Sequence, residues 1–131
     1  MFTIEQGYYI AYKFLERYWE QIDRFRKYEP GEFNLLTAFS CGMEPTSISD
    51  PICLDPAKYE YWVEAMEPLG EKPKYTKDEV FQGVMNFLEY HRDEFGFNLE
   101  EAIADIKTQT IMWNQVVDEV ADLIIEKRRA T

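Results

Sequence analysis

The single histidine and the two cysteines are the side chains of this 131-residue chain that are best suited to chemistry. Cys41 and His91 could pair as a thiol nucleophile and its general base, but no local motif around either residue supports such a pair. Cys41 and Cys53 are too few for a disulfide scaffold and lack the spacing of metal ligands. His91 could be a ligand or a pH switch, but its place on an apolar stripe favours a hydrogen-bonded core or boundary histidine.

Catalytic motifs are absent from the sequence. There is no H-E-x-x-H, G-x-S-x-G, G-x-x-x-x-G-K or G-x-G-x-x-G pattern, and a di-iron helical bundle would need Glu-x-x-His twice. The six glycines are scattered, so no glycine-rich loop is suited to hold a phosphate. We therefore expect no catalytic residue, no metal ligand and no cofactor. An enzyme or small-ligand binder is the least favoured of three functional hypotheses.

Negative charge is the most informative feature of the composition. The chain has 25 acids and 14 bases, a net charge of −11, which argues against direct binding of nucleic-acid phosphates or of anionic lipid. The charge is concentrated in residues 29–71, where nine acids and one base, Lys58, give a net charge of −8. An acidic surface of this kind attracts basic partners and speeds their association.

Within this acidic segment, three glutamates share one side of a short predicted helix. Glu60, Glu64 and Glu67 recur at i, i+4 and i+7, a spacing at which like charges destabilise a helix by about 0.2–0.5 kcal/mol per pair. Tyr61 is the kind of aromatic residue that anchors interface hot spots. For any one glutamate a solvated position is the ordinary interpretation, but the segment as a whole indicates a partner-binding surface. The predicted partner-binding residues are Glu44, Asp50, Glu60, Tyr61, Glu64 and Glu67.

Two long amphipathic segments, 73 residues apart, are the predicted helices that would position this surface. Residues 3–28 and the segment after Thr76 carry apolar side chains three and four positions apart. Each begins with a capping box, Thr-x-x-Gln at Thr3 and Thr-x-x-Glu at Thr76. Similar sequences follow at 33–38 and 97–102, which leaves open whether the fold is built on a duplicated helix pair. The buried stripe predicted for the second helix consists of Phe81, Val84, Leu88, His91 and Phe95.

The remaining segments predict a loop and two further helices. Residues 42–54 are rich in turn-forming residues and predict an irregular loop. Residues 55–67 predict a short helix that begins with Asp-Pro and ends before a proline and a glycine. Residues 98–128 predict a long helix with a kink or break at 108–110, and no segment shows the alternation of a β-strand.

The sequence predicts a single all-α domain over residues 1–131, a bundle of about five helices. No apolar run approaches the roughly 18 residues that span a bilayer. The first six residues lack the basic and apolar regions of a secretory signal. We therefore expect a cytoplasmic protein that does not bind a membrane. The oligomeric state stays open, with a monomer as the simplest expectation.

Five short motifs occur along the chain in an order that is similar to that of a known protein family. They are Thr3-Ile-Glu-Gln-x-Tyr8, Phe14-Leu-Glu-Arg-Tyr18, Asn34-Leu-Leu36, Asp55-Pro-Ala-Lys-Tyr-Glu-Tyr-Trp62 and Thr76…Phe81…Phe87-Leu-Glu89. Over residues 3–92 this order resembles the small immunity proteins of bacterial contact-dependent growth inhibition, a polymorphic toxin system. The resemblance implies a helical, acidic cytoplasmic inhibitor without catalytic residues, which binds the toxic C-terminal domain of a protein delivered by a sibling cell. The run 41–53 is longer than the resemblance leads us to expect.

Two hypotheses with a protein partner follow. The leading one is an immunity protein that neutralises a cognate toxin C-terminal domain, a basic nuclease, by occluding it with an acidic surface. The alternative is an acidic helical adaptor, or a nucleic-acid mimic that inhibits a DNA-binding protein. Both hypotheses predict a basic protein partner and no direct contact with nucleic acid.

Overall fold

Five α-helices and one short hairpin account for most of the described chain. The computed structural model describes residues 1–21, 42–53, 55–96 and 99–130. The helices are α1 (Ile4–Gln21), α2 (Pro56–Met66), α3 (Lys77–Phe95), α4 (Glu100–Ile106) and α5 (Thr110–Ala130). The strands are β1 (Pro45–Ser47) and β2 (Asp50–Cys53). A 3-10 turn, Glu67–Leu69, follows α2. The predicted all-α class is confirmed. None of these helices is both long and apolar enough to cross a membrane.

α1 and α3 begin where their capping boxes predict. The Thr3 amide donates to the Gln6 side-chain oxygen (3.0 Å), and the Gln6 amide donates to the Thr3 hydroxyl (3.1 Å). Thr76 and Glu79 make the same reciprocal bonds at 3.0 and 3.2 Å. These bonds satisfy amide groups that the first turn of a helix leaves without a partner. The predicted end of the first helix, at residue 28, and the related sequence at 33–38 lie outside the described residues.

The buried stripe predicted for α3 is correct up to His91 and wrong at its last member. The stripe residues up to His91 are buried or half-buried, whereas Phe95 is 47% exposed. Gly96 adopts a φ of +70° and caps the end of the helix. Phe95 therefore lies in the last turn, at the edge of the core.

The long helix predicted over residues 98–128 is divided in the structure. Residues 107–109 separate α4 from α5, which confirms the break predicted at 108–110. The Thr108 hydroxyl donates to the Asp105 carbonyl (2.7 Å). The Thr108 amide donates to the same carbonyl (2.9 Å), which in a continuous helix would instead accept from the amide four residues on, that of Gln109.

Part of the predicted 42–54 loop is a β-hairpin, so the prediction of an irregular segment without strands is wrong there. β1 and β2 pair in antiparallel fashion, with Ser47 opposite Asp50. The strands are three and four residues long, which is too short to show the alternation of apolar and polar residues that marks a strand. Each strand also contains a proline, which is uncommon in strands. The buried Ile48 in the turn attaches the hairpin to the core.

Trp62 fixes α2 between α1 and α3. Its side chain is fully buried, its indole N–H donates to the Ile4 carbonyl (3.1 Å), and the Phe87 ring packs edge-on against it at 5.9 Å between centroids. Gly83 on α3 makes room for the indole ring, whereas Gly7 on α1 lies at an ordinary contact distance from it. A Cβ atom at Gly7 would lie 3.4 Å from the ring, and one at Gly83 would lie 3.0 Å from it. Because Trp62 is held inward, the opposite side of α2 faces solvent.

Candidate functional site

The exposed side of α2 and its following turn carry the three glutamates that the sequence predicts there. Glu60, Glu64 and Glu67 are exposed, while Trp62 and Met66 on the other side of the helix are buried. Within the described part of the chain, none of the three glutamates forms an ion pair. Their negative charges are therefore available to a partner.

Tyr61 belongs to a group of rings that the sequence does not predict. Its ring centroid lies 5.3 Å from that of Tyr90, 5.4 Å from that of His91 and 5.3 Å from that of Phe95. His91 is buried, but Tyr61 and Tyr90 are half-buried and Phe95 is exposed. We call Tyr61, Tyr90 and Phe95 the aromatic cluster. Their rings are partly exposed to solvent.

A shallow groove between α2 and α3 joins two of the glutamates, Glu64 and Glu67, to Tyr90 of the aromatic cluster. It has a volume of about 360 Å³, and its lining includes Glu64, Glu67, Asn86 and Tyr90. The Asn86 side-chain amide donates to the Ala65 carbonyl (3.0 Å) and so ties the two helices together beside the groove. We call this feature the acidic groove.

The charges around Tyr90 are negative. Burial, followed by the carboxylates of Glu64 and Glu94, raises the pKa of the Tyr90 phenol above its ordinary value. Both effects oppose ionisation, so the phenol is neutral at physiological pH and can donate a hydrogen bond. Arg92, on the same helix, is paired with two carboxylates of its own.

Glu44 and Asp50 lie at the other end of α2. The Gly42 carbonyl accepts a hydrogen bond from the Asp55 amide (3.0 Å), which places the start of the hairpin at the N-terminal end of the helix. Glu64 lies nine residues after Asp55, which corresponds to a helical rise of about 14 Å. Glu44 is exposed and Asp50 is half-buried. The structure therefore brings together four of the six predicted residues, those on α2 and its turn, and places the other two at the hairpin.

Lys58, the only base of the acidic segment, is not part of its surface. It is 8% exposed, and its Nζ lies 3.0 Å from Nε2 of His91. The other ring nitrogen of His91, Nδ1, lies 2.8 Å from the Phe87 carbonyl. This assigns the ring proton to Nδ1, so Nε2 accepts from the Lys58 ammonium. A hydrogen-bonded core histidine is thus confirmed, whereas Cys41, the thiol considered as its partner, lies outside the described residues.

Burial is the main reason why the pKa of His91 is lowered to about 4. The Phe87 carbonyl and the Asp55 carboxylate raise it, while the Lys58 ammonium adds to the lowering. The ring is therefore neutral at physiological pH, which is the form that can accept a hydrogen bond from Lys58.

Comparison of the chain with protein-family models, curated proteins and solved structures finds no match. Among the described residues, no three His, Cys, Asp or Glu side chains are arranged to hold a metal ion. Any inference about function therefore rests on the resemblance of the sequence motifs and on the geometry and charge of the described surface.

Proposed function

We propose that the chain is an immunity protein that binds a cognate toxin domain, a basic nuclease, and neutralises it by occlusion. The observation that carries this proposal is the acidic groove beside the aromatic cluster, where exposed carboxylates adjoin partly exposed rings. The partner would be the C-terminal domain of a toxin delivered by a sibling cell, and the inhibitor would act in the cytoplasm.

The chemistry of this surface fits a partner rich in arginine and lysine. A nuclease positions phosphates with such side chains, and an arginine guanidinium pairs with a carboxylate through two parallel hydrogen bonds. The same guanidinium packs favourably on the face of a tyrosine ring. Glu64 and Tyr90, which line one groove, offer both kinds of contact, so the inhibitor would occupy positions that phosphates otherwise take.

The burial of Lys58 strengthens this electrostatic match. A lysine exposed on α2 would repel a basic partner at the centre of the acidic segment. Because Lys58 instead points into the core against His91, the exposed side of α2 presents carboxylates without a neighbouring cation on the same helix. Occlusion by such a surface requires tight binding and no chemistry by the inhibitor.

A survival assay tests the proposal. The C-terminal domain encoded immediately upstream of this chain would be expressed in cells with and without it, and viable cells would be counted. We expect killing without the chain and rescue with it. Combining Glu60→Lys, Glu64→Lys and Glu67→Lys should remove the rescue, because the reversed charges repel a basic partner and so both slow its association and weaken its binding.

A matched control lies on α5, where Asp118, Asp122 and Glu126 are exposed on one face. Lysine at these three positions changes the net charge by the same amount but leaves the acidic groove intact, so rescue should persist. Circular dichroism would establish that both triple variants fold. A non-toxic domain, killing that persists with the wild-type chain, or equal loss of rescue in both triple variants would contradict the proposal.

A further inference from the structure

A second and larger groove lies on the other side of Glu67. It has a volume of about 660 Å³ and lies between the start of α1, α2 and the segment that leads to α3. Glu67 lines both grooves, so the two adjoin. The floor of the second groove, which we call the apolar groove, is formed by Ile4, Tyr59, Val63, Met66 and Tyr75.

The fixed charges around the apolar groove are negative. Glu67 and Glu71 are exposed on its rim, and in the described part of the chain neither forms an ion pair. Lys72 also lines the groove, but its ammonium is paired with Glu79 and lies over the Tyr75 ring, 5.4 Å from the centroid. A cation that enters the groove therefore meets two carboxylates that no internal cation neutralises.

Tyr59 provides a neutral aromatic surface in the same groove. Burial, and then the nearby Glu5 carboxylate, raises the pKa of Tyr59 to about 12. The phenol therefore stays protonated at physiological pH, and the face of its ring attracts cations. An apolar floor, an aromatic ring and an acidic rim are thus combined in one groove.

We propose that the apolar groove receives an arginine or lysine side chain of a basic protein partner, with the aliphatic stem on the floor and the charged head near Glu67 and Glu71. Long basic side chains bury their methylene groups on apolar surface and keep the charge at a polar edge. An apolar occupant would instead cover the two carboxylates without pairing them, which is unfavourable. The identity of the partner rests on the proposed function, and the adjoining grooves would let one partner place basic side chains on both sides of Glu67.

A peptide titration of the whole chain tests this inference without the toxin. Three blocked peptides would be used, acetyl-Gly-X-Gly-amide with X as arginine, lysine or norleucine, and backbone amide shifts would be followed by NMR. We expect saturable shifts at Val63, Gly70 and Glu71 with the arginine and lysine peptides, and none with norleucine at equal concentration. Equal shifts with norleucine, or shifts spread evenly over the acidic residues of α5, would overturn the assignment.

Two variants and a control sharpen the test. Glu71→Lys should weaken arginine-peptide binding by about fivefold, and Val63→Trp, which fills the groove, should remove the shifts. Asp122→Lys, an equal change of charge on α5, should change binding by less than about twofold. Unchanged binding in Glu71→Lys would reject the acidic rim even if Val63→Trp fails to fold. Because no toxin is present, failure of the survival assay and failure of this titration are separate outcomes.

Discussion

Lys58 and His91 form a buried polar pair beneath the aromatic cluster. An ammonium group in a protein interior is costly unless hydrogen bonds compensate it, and the neutral His91 ring supplies an acceptor at 3.0 Å. The same ring packs against Tyr61, at 5.4 Å between centroids. A titratable residue of the core is therefore in direct contact with a residue on the proposed binding surface.

The stability of the protein should depend on the protonation of His91. Its pKa in the folded state is about 4, below the value of about 6.5 for an unfolded chain. Between these values the unfolded state binds more protons, so the free energy of unfolding decreases as the pH falls from about 6.5 to about 4. The His91 contribution reaches a slope of at most about 1.4 kcal/mol per pH unit. Urea unfolding at a series of pH values measures this dependence of the free energy of unfolding on pH.

His91→Gln is the matched control for this prediction. The glutamine carbonyl can still accept from Lys58, but the side chain does not titrate. The carboxylates are the same in both proteins, so the difference between the two pH profiles isolates His91. If the free energy of unfolding of the two proteins changes in parallel between pH 4 and pH 6.5, the His91 ring is not responsible for the pH dependence.

At the scale of elements, α3 depends on the capping box at its start. Thr76→Ala removes the hydroxyl that accepts from the Glu79 amide (3.2 Å) and should lower the free energy of unfolding by about 1 kcal/mol. Thr76→Ser keeps the hydroxyl and should have little effect. Chemical denaturation compares the three proteins, and an equal loss in both variants would argue against a capping effect.

The contact of α2 with α3 depends on the absence of a side chain at Gly83. A Cβ atom there would lie 3.0 Å from the Trp62 ring and would also collide with Met66. Gly83→Ala should therefore destabilise the fold by about 1–3 kcal/mol, although alanine is the better helix former. Thermal or chemical unfolding measures this loss.

Gly7→Ala is the control on the facing helix. Its Cβ atom would meet Trp62 and Val80 at 3.4 Å, an ordinary contact distance. The variant should be neutral or more stable by up to about 1 kcal/mol, because alanine loses less backbone entropy than glycine on folding. Destabilisation of equal size in both variants would mean that the close approach at Gly83 is not the cause.

The elements that the sequence predicts correctly are those fixed by neighbouring residues. The boxes at Thr3 and Thr76 and the break at 108–110 each depend on bonds between residues three positions apart. The exposed side of α2 is also local, since it follows from helical spacing. These features require no knowledge of which helices meet.

The parts that the sequence does not predict depend on long-range contacts. Tyr90 joins the candidate site only because α3 packs against α2 in a register that brings its ring to Tyr61. Lys58 is buried against His91, 33 residues away, which provides an acceptor for its ammonium group. The hairpin at 45–53 escaped prediction because its strands are short and contain prolines.

At the scale of the whole molecule, the acidic segment over residues 29–71 dominates the charge, with −8 of the total −11. The described part of this segment contains the exposed glutamates of α2 and its turn, and the exposed Glu44 near the hairpin. A field from one region of a surface steers a partner of opposite charge during diffusion.

The association of the chain with the proposed toxin partner should therefore depend on salt. We expect the association rate to fall by about tenfold as the ionic strength rises from about 0.01 M to about 0.15 M, because the Debye length shrinks from about 30 to about 8 Å. The dissociation rate should change little. Stopped-flow kinetics measure both rates, and lysines at Glu60, Glu64 and Glu67 should flatten the salt dependence. A wild-type association rate that does not respond to salt would exclude steering by this segment.

The burial of Lys58 also determines which reagents can probe the acidic segment. Residues 29–71 contain no other lysine and no arginine, so amine-reactive cross-linkers have no accessible target on the described part of this surface. Trypsin likewise has one cleavage site within the segment, after a side chain that is 8% exposed. A carbodiimide, which couples carboxylates such as Glu64 to lysines of a bound protein, is the reagent that this distribution of charge favours for covalent capture of the partner.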